Sequence, residues 1–146
     1  MDKLVLSYRF DPSYFDKALD RDDFGRLSLR VETEHFTGEG SFWVQWQDVV
    51  EFGQSLDVYP IEANNPIVTQ WGYGMQEGDD LIIRMSIGAK DLAGDLLVSV
   101  VVADDNEPSQ RLSASFRSGY SALDMFKRDI ARMMNREIHE AVLHGY

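Results

Sequence analysis

The sequence predicts an α+β domain in which an antiparallel, curled sheet of five to six strands packs on a long C-terminal helix and one shorter helix. Three observations predict it. Apolar residues alternate with period two in stretch after stretch, joined by short turns, which is how antiparallel neighbours read. The period lengthens to that of a helix twice, over Val49 to Leu56 and again after Ser121. The order is strands, helix, strands, long helix, without the strict alternation that builds a parallel sheet.

The first strand places Leu4, Leu6, Tyr8 and Phe10 on one face and ends at Asp11-Pro12. Ser13 to Leu19 reads as one or two helical turns, and Asp20 to Gly25 as a charged turn. Leu27, Leu29 and Val31 form the inward face of the next strand. Gly38-Glu39-Gly40 reads as a hairpin turn whose glycines supply positive φ, and Phe42 and Val44 follow as a returning strand. Val49, Phe52, Gly53 and Leu56 then fall on one face of a short helix.

From Asp57 to Asp80 the chain is irregular, with Ile67 to Trp71 as a short strand. A long loop in a compact domain is usually functional or mobile. Tyr59, Trp71 and Tyr73 lead us to expect a lid packed over the core. Three strands follow: Leu81 to Gly88, Leu96 to Ala103 and Arg111 to Arg117. The middle one is almost wholly apolar, as for a strand covered on both faces. Ser121 reads as an N-cap with Asp124 at N3, opening a helix that carries Leu123, Phe126, Ile130, Met133, Met134, Ile138 and Ala141 inward and runs to about Leu143.

A chain of 146 residues is expected to form a single globular domain over 1–146, burying roughly 70% of its unfolded surface. No apolar run approaches a membrane span, and the N-terminus lacks the pattern of a secretory signal, so a cytoplasmic location is expected. The formal charge of −11 repels phosphate backbones and anionic lipid, so neither nucleic acid nor membrane is an expected partner. Such a surface favours a basic partner, and it also keeps a protein soluble.

Most patterns that carry reaction chemistry fail. The chain has no cysteine, which excludes disulfides and thiolate chemistry. His139 and His144 are five apart, about 140° around a helix, whereas paired ligands share a face at i, i+4. An EF-hand starting at Asp20 would place Phe24 and Val31 where oxygen ligands are needed. Gly38-Glu39-Gly40 lacks the third glycine and the following helix of a dinucleotide site. No cofactor, metal or catalytic residue is assigned.

Two sets of residues stand out as binding candidates. A polar sheet face is expected to carry Arg30, Glu32, Trp43, Gln45, Arg84, Ser86, Arg111, Ser113, Ser115 and Arg117, and Trp and Arg are the usual anchors of interfaces. On this face Trp43, Arg30, Arg84 and Arg117 are the candidates. Trp71 and Tyr73 are the second set, lining a pocket under the 57–80 segment. The bland readings are a solvated sheet face and aromatics that fill the core.

Val31 to Val44, reading Val-Glu-Thr-Glu-His-Phe-Thr-Gly-Glu-Gly-Ser-Phe-Trp-Val, leads into Val49-Val50-Glu51-Phe52 and Tyr59-Pro60-Ile61. Much later comes Ser121-Ala122-Leu123-Asp124-Met125-Phe126. This order resembles small bacterial proteins grouped with the WapI-type immunity proteins. The resemblance implies a protein that neutralises a secreted toxin from a neighbouring cell. Its motifs are structural, and it assigns no inhibitory residue. The expectation is therefore a non-enzymatic cytoplasmic binding protein, an immunity-type inhibitor of a basic toxin. The alternative is a small-molecule-binding module or an enzyme with a site under the 57–80 segment. Self-association, as a homodimer, through the polar face or an edge strand is a third expectation.

Overall fold

The computed structural model describes residues 1–11, 24–91 and 93–146. In chain order the elements are β1 (Lys3–Phe10), β2 (Phe24–Glu32), β3 (Thr37–Gln45), α1 (Trp46–Ser55), β4 (Ile67–Gly72), β5 (Leu81–Ala89), β6 (Asp95–Ala103), β7 (Arg111–Gly119), α2 (Tyr120–Met134) and β8 (Glu140–His144). The helical turns read at Ser13 to Leu19, and the turn from Asp20 up to Asp23, lie outside the described residues.

Among the described residues the strands make two antiparallel sheets of four, ordered β3-β2-β1-β8 and β4-β5-β6-β7, and not one sheet of five to six. The α+β class holds. Alternation fixes which way each side chain points but not which strand is its neighbour. Here α1 intervenes after β3, and β3 packs face-on against β5 and β6 instead of pairing with β4. Leu27, Leu29, Val31 and Val44 from the first sheet share one buried apolar cluster with Ile83, Met85, Val98 and Val100 from the second. The helices complete that cluster through Val49, Phe52, Phe126 and Ile130.

Gly38 and Gly40 are not a turn. The β2–β3 turn is Thr33 to Phe36, closed by the Thr33 N–H donating to the Phe36 carbonyl at 2.7 Å. The glycines lie inside β3, without positive φ, where the sheets approach closely. A Cβ on Gly40 would sit 2.7 Å from the Ala103 carbonyl oxygen, and one on Gly38 would sit 3.1 Å from the Leu112 side chain. They are small to let the second sheet in.

The C-terminal helix is shorter than its apolar pattern. It begins at Tyr120 with Gly119 as an N-cap that makes no side-chain bond, so the Ser121–Asp124 box does not form. Asp124 instead pairs with Arg128 one turn on, at 2.9 Å. The helix stops at Met134 because Arg136 turns left-handed at φ 63°. The Arg136 N–H then bonds the Met133 carbonyl and the Glu137 N–H bonds the Arg132 carbonyl, the two bonds of a Schellman end. Beyond it the period is two: Ala141 and Leu143 are fully buried on β8, which pairs with β1 from Lys3↔His144 to Ser7↔Glu140. His139 and His144 are thus off the helix altogether.

The 57–80 segment contains β4 and a short 3₁₀ turn at Gly78–Asp80. It is not a lid. Trp71 is a core residue on β4, only 9% exposed, whereas Tyr59 is 80% exposed. β6 is central as expected, but its second face (Leu97, Ser99 and Val101) is only half-covered. Among the described residues no helix is long and apolar enough to cross a membrane.

Candidate functional site

The polar face expected of one sheet is two faces on two sheets. Arg30 and Trp43 project from β2 and β3 on the first, Arg84 and Arg117 from β5 and β7 on the second. On the second sheet the register places Val68, Ser86, Ser99 and Ser115 in one row and Gln70, Arg84, Val101 and Ser113 in another. Arg30 lies 3.6 Å from Glu32, which also takes Lys3 at 3.5 Å. Arg117 bonds Asp95, whose carboxylate also accepts from the Tyr146 hydroxyl. These two bonds hold the Asp95 pKa below the usual carboxylate range, the Tyr146 bond contributing most. Trp71 is taken by the core, where it neighbours Asp48 at the start of α1 and acts to lower that carboxyl's pKa. Burial is the larger influence on Asp48 and, with Glu51 beside it, leaves the Asp48 pKa raised.

Two of the candidates do come together, through residues that sequence reasoning missed. Register pairs Trp43 with Arg26, and the Arg26 guanidinium carbon lies 5.6 Å from the centre of the Trp43 ring. The same guanidinium bonds the Asp105 carboxylate at 2.8 Å. The Asp105 carbonyl accepts from the Tyr73 hydroxyl at 3.2 Å, and the Tyr73 ring meets Phe42 edge-on at 4.9 Å. A chain of contacts therefore runs Trp43–Arg26–Asp105–Tyr73 across the junction of the two sheets. Trp43 is 44% exposed, Tyr73 46% and the nearby Met75 77%. Alternation could have flagged Arg26, which shares the outward face of β2 with Arg30. Asp105 carries no comparable signal, being one acid in an acidic turn.

The sequence around these aromatics is strongly acidic. The β4–β5 connection contributes Glu77, Asp79 and Asp80, and the β6–β7 turn contributes Asp104, Asp105 and Glu107. Both connections lie at the same end of the second sheet, since β4 pairs with β5 up to Gly72↔Leu81 and β6 with β7 up to Ala103↔Arg111. Asp104 is occupied in capping its own turn, accepting from the Glu107 N–H at 2.8 Å. Asp105 is bonded to Arg26. Glu77, Asp79 and Glu107 remain exposed and without an ion pair among the described residues. The rim thus offers large side chains held in place by neighbours, framed by carboxylates.

A second concavity, of ≈ 560 Å³, lies between Tyr59–Ala63, the β5–β6 turn and Tyr120 at the start of α2. It belongs to the first half of the 57–80 segment and not to Trp71 and Tyr73. A third, of ≈ 400 Å³, separates α1 from α2 and is lined by Val50, Gly53, Ile130 and Met134 with Lys127 and Arg128. Among the described residues no three His, Asp or Glu side chains converge as a metal site would require. Compared with protein-family models and with curated protein sequences, the chain matches none.

Proposed function

We propose that this chain is a non-enzymatic binding protein that captures a basic protein partner on the acidic rim around Trp43, Tyr73 and Met75. The observation that carries the reading is the Trp43–Arg26–Asp105–Tyr73 chain. It fixes half-exposed aromatics in advance, which lowers the ordering cost of association. Large aromatics at the centre of a patch with charged surroundings are the usual anatomy of a binding hot spot. Six carboxylates on two adjacent connections would steer a cationic partner towards it. The resemblance to WapI-type immunity proteins supports a toxin as that partner, and the cytoplasm as the place of capture.

The test is co-expression with the toxin gene neighbouring its own, scored by survival and by a complex on size-exclusion chromatography. Wild-type protein should protect. Trp43→Ala and Tyr73→Ala should each weaken the complex by about 30-fold, the effect of losing a ~2 kcal/mol anchor. Asp79→Lys should slow association and reduce its salt dependence. Protection and binding unchanged in all three variants, or no protection by the wild type, would overturn the proposal.

A further inference from the structure

We infer that the ≈ 560 Å³ concavity between Tyr59–Ala63, Ala89–Asp91, Gly94, Asp95 and Tyr120 is a binding pocket for a small organic cation, an alkyl guanidine or amine. It lies at the β5–β6 end of the second sheet, away from the acidic rim, and stands independently of it. Its volume falls within the range of small-molecule pockets.

One wall is aromatic. Tyr59 and Tyr120 meet edge-on with ring centres 4.8 Å apart. The Tyr120 hydroxyl accepts from the Ile61 N–H at 3.0 Å, fixing the 59–63 stretch against the start of α2. Such a corner offers ring faces and apolar edges to an alkyl stem and an attached cation.

The rest of the lining supplies charge. Glu62, Asp91 and Asp95 line the pocket, with Lys90 as the cation among its lining residues. Asp95 is committed to Arg117 and to the Tyr146 hydroxyl, and Lys90 acts electrostatically on the same carboxylate. Asp91 spends Oδ1 on the Ala93 N–H at 2.9 Å and the Asp95 N–H at 3.3 Å, which leaves Oδ2 without a partner among the described residues. Glu62 forms no ion pair among the described residues. Arg117, on which both Asp95 and Asp91 act, and Lys90 offset two of the three carboxylates, so one net negative charge remains at the pocket, with Glu62 the carboxylate outside that network. An aromatic corner beside a net negative charge selects a cation with an apolar stem over a neutral or anionic molecule of the same shape.

The experiment compares butylguanidinium with its neutral counterpart butylurea, by NMR titration of the Tyr59 and Tyr120 ring signals. Butylguanidinium should shift both rings and bind about fivefold or more tightly than butylurea. Glu62→Gln and Tyr59→Ala, both at exposed positions, should weaken butylguanidinium several-fold. Lys90→Gln should strengthen it, a gain that damage to the fold would not produce. An arginine-rich peptide serves as a second arm. If the peptide shifts these rings and butylguanidinium does not, the site belongs to a protein partner and the small-cation pocket is refuted. Equal affinity for butylurea, or no strengthening in Lys90→Gln, would refute it as well.

Discussion

Tyr146, two residues past the last strand of the first sheet, is tied to the second sheet by its backbone and its side chain. Its N–H bonds the Arg117 carbonyl at 3.1 Å, while its hydroxyl bonds Asp95 on the neighbouring strand. The bond to Asp95 raises the phenol's pKa and is the main cause of the fall in the carboxylate's. The signs follow from linkage. The depressed Asp95 contributes stability that is present above its ordinary pKa of 3.8 and is lost as pH falls through its lower folded value. The raised Tyr146 contributes stability that is present below its ordinary 10.0 and is lost as pH rises through its higher folded value. Titration followed by the tyrosine ring signals should therefore show Tyr146 ionising above its ordinary 10.0, and Asp95→Asn should lower its pKa. If the titration curves of wild type and Asp95→Asn superimpose, the contact does not persist in solution. Tyr73 makes the same point about legibility. Its aromatic character is visible in the sequence, but its partner Asp105 lies 32 positions away. Arg26 and Asp105 are 79 apart, and nothing local marks the pair.

At the scale of elements, strand faces were the most legible feature. Leu4, Leu6 and Tyr8, then Leu27, Leu29 and Val31, and later Met85 and Ile87, are buried as their alternation requires. The helical face of α1 likewise emerges with Val49, Phe52 and Gly53 buried. β8 was illegible for a physical reason. Ile138 and Ala141 continue the helical stripe of α2, so period alone cannot separate a longer helix from a break followed by a strand. The break depends on a left-handed residue, and this one is an arginine where glycine or asparagine would have announced it. The Arg136 guanidinium carbon also lies 4.3 Å from the centre of the Phe10 ring, a contact between the helix end and β1. Arg136→Ala and Arg136→Gly both remove the guanidinium, but only alanine keeps the steric cost of positive φ. Urea denaturation should find the glycine variant more stable than the alanine variant by about 1 kcal/mol. Equal stabilities would mean that the left-handed turn is not what ends the helix.

For the whole molecule, the α+β class was readable but the number of sheets was not. That number is decided by pairings between strands far apart in sequence, and by glycines whose purpose shows only once a second sheet lies against them. Gly40 is such a residue: read locally it suggests a turn, yet its small size serves the approach of Ala103. The junction of the sheets is also bridged by charge. Arg26 and Asp105 are both largely shielded from solvent, so their pairing is less screened than a surface bridge. A double-mutant cycle over Arg26→Ala and Asp105→Ala should give a coupling of about 1 kcal/mol in stability. Additive losses would show that the bridge aims side chains at the rim without holding the sheets together.

The position of β1 between β2 and β8 constrains how the chain can be made. On a ribosome, β1 emerges well before the strand that covers its second edge, with every other element of the two sheets in between. Until then β1 presents an open row of backbone donors and acceptors, the kind of edge that recruits another chain. Leu4 must wait for Leu143, so closure of the first sheet belongs to the slow, non-local class of folding events. A nascent chain stalled before β8 therefore carries an open strand edge that the finished protein covers.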